Sequence, residues 1–318
     1  GYKLPLVFAA SCAIGFYDDP EGVSMAQQFL LHPDGGAIGV VSATRLVWSS
    51  LNRSFNQTVF EVMFGNPDMP IAQAVYTGKL IHLYGVSFPS LINNDRSYTF
   101  FGEPFVCLGR PQYDIEFTQA PDPLRPLRAT TVSGRVADDA GSLLPVSGEI
   151  EIVVYDSDRM KTYVPSEHGG SGPSVTYSTN GAALYKGEVT VQDGLFEFSF
   201  VPPLDISYGG ESARISAYGA FGNIDAAGLA DSLPVSEAIS EVSDDEGPQI
   251  AVGLSGRTSF TSGDYATATD TVVVVLDDPS GINLTGWLGH GITLVIDDQT
   301  EAMINLTPSF SYYADSYR

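Results

Sequence analysis

Two cysteines, four histidines and a large excess of carboxylates are the residues from which this chain could build chemistry. Cys12 closes a short apolar run, Leu4-Pro-Leu-Val-Phe-Ala-Ala10, and is followed by Gly15 and the polar turn Asp18-Asp19-Pro20. The run has the pattern of a parallel strand buried on both faces. In open α/β sheets, reacting groups gather at the carboxyl ends of such strands, so Cys12 is placed to act as a nucleophile. The competing reading is a small buried hydrophobe, because free cysteine is among the most buried residue types. Attack on a carbonyl needs a thiolate and therefore a histidine within reach. No histidine qualifies by position. His168 and His290 fall in strand-rich sequence as surface-loop residues, His82 ends a helix where a dipole contact accounts for it, and His32 sits in a turn opposite Cys12. Either Cys12 is structural or its base lies before residue 1.

The remaining polar clusters carry less. Asp18, Asp19 and Glu21 could meet a cation or a basic substrate group, although a polar turn is the simpler role. Asp277-Asp278-Pro-Ser-Gly281 has some look of a calcium loop but lacks the EF-hand spacing and is read as a turn. No metal ligands and no cofactor are therefore expected, with a structural calcium left open. Asn52-Arg-Ser and Asn56-Gln-Thr match the glycosylation pattern inside a predicted helix, so chance accounts for them; Asn283-Leu-Thr and Asn305-Leu-Thr match it too. His168-Gly-Gly-Ser-Gly172 lacks the Lys-Ser/Thr of a phosphate loop. Cys12 and Cys107 could pair only if the fold brought them together. With 38 acidic against 15 basic residues the net charge is −23, which argues against nucleic acid as a partner. So large a charge suits a high-salt habitat, which a titration of stability against KCl would test.

The elements that must position Cys12 alternate between strand and helix over residues 1–112. Ser24 could cap a short helix bearing Met25, Phe29 and Leu30, which His32-Pro33-Asp34-Gly35-Gly36 breaks. Ala37–Ala43 is a second buried strand. Leu51, Phe55, Val59 and Met63 recur every fourth residue as an amphipathic helix that Gly65 stops. Pro70 opens another helix with Ile71, Ala74, Val75 and Gly78 inward, and Asn93-Asn94-Asp95 leads into the strand Tyr98–Phe101. Such alternation implies a parallel, doubly wound sheet. Residues 113–127, rich in proline from 119, read as a linker. Residues 128–243 change to alternating short strands, with Asp193-Gly194 as a hairpin signal, and predict an all-β sandwich. An acidic segment, Glu237 to Glu246, leads to a second, truncated β domain over 244–318, with strands such as Thr271–Leu276 and Ile292–Ile296. No secretory signal and no apolar run long enough to span a membrane occur in the sequence.

The order of these motifs resembles a known family. An apolar strand ending in Ala-Ser-Cys12, then Gly35-Gly-Ala-Ile-Gly-Val-Val-Ser-Ala-Thr-Arg45, Phe55-Asn56 in a helix and Phe100-Phe-Gly-Glu-Pro104 is similar to the gingipain family of cysteine peptidases. The likeness extends to the sortase-type members that serve type IX secretion through Thr179–Gly187, Gly194–Pro202, Gly247-Pro248, Ser280–Thr285 and Gly289–Ile292. The resemblance implies the C-terminal part of a caspase-like α/β sheet, followed by an Ig-like β-sandwich and the truncated β domain. It makes Cys12 the nucleophile of a Cys–His dyad, with its own backbone N–H in the oxyanion hole. The histidine would precede the cysteine, in a segment before residue 1, so that this chain alone would be inactive. Ser42, Thr44, Arg45 and Trp48 fall where the family builds its specificity pocket; for Trp48, core packing is an equal alternative. Glu103 departs from the aspartate usual at its place. The resemblance also implies a protein exported through the periplasm to the cell surface or outer membrane. Its partners would be secreted cargo bearing C-terminal signal domains, outer-membrane secretion components and lipopolysaccharide. A secreted protease without transfer activity and a non-catalytic scaffold are the alternatives.

Overall fold

A computed structural model describes residues 4–85, 87–119, 123–169, 171–206, 212–236, 244, 246–257, 259–261, 263–267, 269–286, 290–295 and 303–318. The chain divides into two compact units, 1–110 and 111–318.

The first unit runs β1 (Leu6–Ala9), α1 (Met25–Leu31), β2 (Gly39–Ala43), α2 (Ser49–Gly65), α3 (Ile71–Leu83), α4 (Pro89–Ser97) and β3 (Tyr98–Gly102). Ser24 caps α1 through a capping box: its Oγ accepts from the Gln27 N–H, and the Gln27 side chain accepts from the Ser24 N–H. Strand β2 is central and buried along its whole length, as its continuous apolar run requires. Successive residues face opposite ways: Val40 packs with Ala26 of α1, whereas Val41 and Ala43 pack with Phe55 and Val59 of α2 and with Ile71 and Val75 of α3. Helices α2 and α3 meet closely at Gly78, where a Cβ would stand 2.7 Å from Val59 Cγ2.

Three expectations change here. Strand β1 is parallel to β2, with Ala9 opposite Ser42, but among the described residues β2 is its one neighbour and it is only half-buried. Strand β3 runs antiparallel to β2, so the sheet is mixed rather than parallel. The polar run Asn93-Asn94-Asp95 lies inside α4, a helix that lacks an apolar period and is opened by Pro89.

The second unit is built on β4 (Tyr113–Gln119), β5 (Thr130–Ala137), β6 (Gly148–Tyr155), a side ribbon of β7 (Arg159–Tyr163) with β8 (Val175–Thr179), β9 (Ala183–Val191), β10 (Leu195–Phe200), β11 (Ala213–Phe221) and β12 (Ile224–Leu233). Apart from the ribbon these strands form one seven-stranded sheet in the order β10-β5-β4-β12-β11-β6-β9. Asp193 and Gly194, both at positive φ, join β9 directly to β10. That turn links the two ends of the strand order, so the sheet curls around a single core of alternating side chains such as Val132, Ile150, Ile152, Phe198, Phe200 and Ile215.

The linker placed at 113–127 is corrected: residues 113–119 are β4, a sheet strand, and Leu124 is fully buried with its N–H bonded to the Pro234 carbonyl. The separate domain placed at 244–318 is also corrected. Its described residues form a ribbon of β13 (Gln249–Leu254) with β14 (Val272–Asp277), while Ile282, Leu284 and Tyr312 join the core of the seven-stranded sheet. Of the strand expected at Ile292–Ile296 only Thr293–Leu294 is paired, and position 296 lies outside the described residues. Of the acidic segment Glu237 to Glu246 only residues 244 and 246 are described. The Asp277–Gly281 segment is a turn: Asp278 accepts from the Ser280 N–H through Oδ1 and from the Gly281 N–H through its carbonyl.

Candidate active site

Strands β1 and β2 are parallel, so their carboxyl ends open at the same edge of the sheet, and Cys12 stands three residues past the end of β1. The chain after it folds back along β2: the Ala13 N–H bonds the Arg45 carbonyl at 3.2 Å and the Gly15 N–H bonds the Ala43 carbonyl at 2.9 Å. Ala13 adopts φ 55°, a left-handed conformation uncommon for a residue with a side chain, which these bonds hold in place. Gly15 is required, since a Cβ there would fall 2.5 Å from both Ser42 Oγ and Phe101 Cε2. The result exposes Cys12 instead of burying it, which removes the buried-hydrophobe reading. Its Sγ lies 3.2 Å from the Val47 carbonyl, to which the thiol donates, and 3.5 Å from the Val47 N–H. Cys107 is a separate, exposed free thiol, so the two cysteines do not pair.

The four residues expected to line a pocket meet different fates. Ser42 is fully buried on β2 with no partner for its hydroxyl, so it lies beneath the surface and lines nothing. Thr44 spends both its N–H and its hydroxyl on the Ser97 carbonyl, at 2.8 and 3.0 Å. Arg45 grips Asp18 in a two-point ion pair at 3.0 and 2.7 Å and lies 4.9 Å over the Phe16 ring. That grip holds the Asp18 carboxyl below the usual carboxylate range and raises Arg45 in turn. The pairing also answers the acidic cluster after Cys12: one of its carboxylates closes a loop. Trp48, next to Val47, is 54% exposed, so the core-packing alternative fails.

No histidine side chain among the described residues hydrogen-bonds Cys12. His32 accepts from the Asp34 N–H, and His290 pairs with Asn283 in the second unit. The side chain of His168 lies outside the described residues. His82 is not a simple dipole partner: its Nδ1 is 2.5 Å from Asp95 Oδ2, and its Nε2 is 3.0 Å from Ser54 Oγ. The connectivity is that of a Ser–His–Asp relay. Ser54 sits within α2, however, where backbone N–H groups are spent on the helix and leave no oxyanion donor beside the hydroxyl.

Sequence reasoning missed the buried polar residues around this edge. Asn52, Asn94, Asp95 and Tyr98 are all at most 4% exposed. Tyr98 packs its ring 4.7 Å from Phe55 and leaves its hydroxyl without a partner; burial pushes the phenol up to about 12, and negative charge at Cys12 and Asp95 adds to the shift. Lys79 donates to the Tyr98 carbonyl, and burial lowers its pKa against the opposing charge of Asp95. Pro89, opening the run Ser90-Leu-Ile-Asn-Asn-Asp-Arg-Ser97, was the available signal for the helix that carries two of them.

Comparison with known proteins bears on the first unit. Residues 1–108, about a third of the chain, match the model of peptidase family C25, and the gingipain-like resemblance read from Ser11 to Pro104 falls within that match. Among curated proteins no match was found. Among solved structures, the chain is similar to dimeric latent PorU from Porphyromonas gingivalis at 25% identity and a TM-score of 0.45, over 85% of this chain and 26% of that one. It is also similar to the Arg-specific cysteine proteinase gingipain R at 13% identity and a TM-score of 0.32, over 72% of this chain and 45% of that one. The chain thus spans about a quarter of the length of PorU.

Proposed function

We propose that the first unit carries the nucleophile of a cysteine endopeptidase, with Cys12 attacking the peptide carbonyl. The observation that supports this most is the C25 match over residues 1–108 in a segment whose Cys12 stands exposed where two parallel strands end. The thiolate adds to the carbonyl carbon, the oxyanion is received by backbone N–H groups that include that of Cys12, and the amine leaves with a proton from a histidine. Preorganised donors of this kind are worth about 100-fold or more in rate. In line with the family resemblance, the base is assigned to a histidine in sequence preceding residue 1, and residues 1–318 alone are expected to be inactive. Trp48 forms one wall of the substrate site; Arg45 shapes it through the Asp18 loop rather than by binding substrate directly.

The likeness of Thr179–Gly187, Gly194–Pro202 and Ser280–Thr285 to sortase-type members supports a finer reading. In it the acyl group, held as a thioester on Cys12, passes to an amine rather than to water, as covalent catalysis allows. The substrates would be exported proteins with C-terminal signal domains and the acceptor an amine of surface lipopolysaccharide. The curled sheet of the second unit, read as an Ig-like sandwich, would serve as a docking module at the outer membrane alongside other secretion components. No cofactor is required by this chemistry.

In a longer chain that includes the preceding sequence, Cys12→Ala should abolish cargo cleavage. Unchanged cleavage would leave the scaffold reading standing. Capture of the cleaved cargo by an added amine would separate transfer from hydrolysis; a product carrying only a free carboxylate would make this a plain protease.

A further inference from the structure

The buried polar residues between α2, α3 and α4 end on the segment that holds the thiol. Oδ1 of Asn94 accepts from the Trp48 N–H at 2.9 Å. Trp48 opens α2 without a side-chain cap of its own, and its neighbour Val47 makes both backbone contacts to Cys12 Sγ. Asn94 is fully buried. Its Nδ2 is held by Asn52 Oδ1 at 3.2 Å and by Asp95 Oδ1 at 3.4 Å, and Asp95 is held in turn by His82. A buried amide with donors and acceptor all engaged has one orientation available, because turning it over would leave polar atoms unpaired.

We propose that Asn94 is a positioning residue for the Cys12 site: it locks the Val47–Trp48 segment, and with it the contacts to the thiol and the placement of the Trp48 ring. Asp95 and His82 fix the amide from behind. The catalytic meaning of this lock rests on Cys12 being the nucleophile, but the lock itself is a property of the folded chain. Val47 meets the sulfur with both its carbonyl and its N–H, so releasing that segment should change how readily Cys12 is alkylated.

The experiment uses the 318-residue chain with Cys107→Ser, so that Cys12 is the single thiol, and with Trp287→Phe, so that Trp48 is the single indole. The rate of alkylation by iodoacetamide is measured across pH, together with Trp48 emission. Asn94→Leu should change the alkylation rate at pH 8 about fivefold and shift the emission. Val59→Ala, a core truncation in the same helix, should lower the melting temperature and leave the profile in place. A folded Asn94→Leu variant with the parent's profile would overturn the proposal, as would an equal shift from Val59→Ala. If circular dichroism shows Asn94→Leu unfolded, Asn52→Ala, which removes one support of the amide, takes its place with an expected change of about twofold in rate; an unchanged rate overturns the proposal. Failure of the peptidase reading is seen separately, as retained cargo cleavage by Cys12→Ala in the longer chain.

Discussion

The two units place their buried polar groups differently with respect to their apolar cores. In the second, buried Asp156 is answered by the Ser157 N–H and by Arg159, within three residues of chain, and buried Thr285 by Asp205 across 80 residues, both at the margin of the core. Its apolar core is a single cluster fed by every strand of the curled sheet. In the first, the apolar residues fall into three smaller clusters, and buried polar groups link α2, α3 and α4 across separations of 13 to 46 residues. Local answers need only a turn, whereas distant ones need the tertiary fold and cost it dearly if one member is lost. The comparison teaches that stability is concentrated in the second unit's apolar core, and that the first unit spends part of its interior on orienting groups next to Cys12.

Phe200→Ala, in the continuous core, should have the largest effect on stability, about 4 kcal/mol by urea denaturation. Asp95→Ala should follow at about 3 kcal/mol, because it strands His82, Lys79 and Asn94 in the interior. A loss below about 1 kcal/mol would remove the contrast between the units, since only a solvated polar group is so cheap to delete. Gly15→Ala should cost about 2 kcal/mol through overpacking against Ser42 and Phe101. It should also disturb Cys12 alkylation, which the Phe200 change should not.

Two titrations sharpen the comparison further. Burial raises the phenols of Tyr98 in the first unit and of Tyr185 and Tyr312 in the second, to about 12 for Tyr98 and Tyr312. A folded-state value above the unfolded one means stability is full below pH 10 and is lost as pH rises through about 12. Absorbance at 295 nm should therefore show these tyrosines ionising only with alkaline unfolding. The smallest effect is expected at Asp18, whose value is lowered by Arg45 from the ordinary 3.8. That contribution is full above 3.8 and fades as pH falls below it, so the stability difference between the parent and Arg45→Met should vanish in strong acid.

Residues acting on near neighbours were legible without coordinates. The cap at Ser24, the four-residue period from Phe55 to Met63, the inward face of α3 and the Asp193-Gly194 hairpin each follow from rules that reach a few residues along the chain. Cys12 at the end of an apolar strand belongs to the same class, and so does the charge that argues against nucleic acid.

What the amino-acid order alone left undecided depends on partners far away in the chain. Nothing local tells β3 to run antiparallel, or reveals that β1 has a neighbour on one side only among the described residues. Arg45 fits a pocket by position, but Asp18, 27 residues earlier, claims it; Ser42 fits by position, but its face of β2 is covered by Gly15 and Phe101. Asn94 and Asp95 look like turn residues because an apolar period is the usual mark of a buried helix, and theirs is buried through hydrogen bonds instead. The sequence by itself places a thiol at a strand end. Only the tertiary structure decides that it is exposed, held by Val47 and backed by a locked amide, because each of those contacts joins segments that the fold alone brings together.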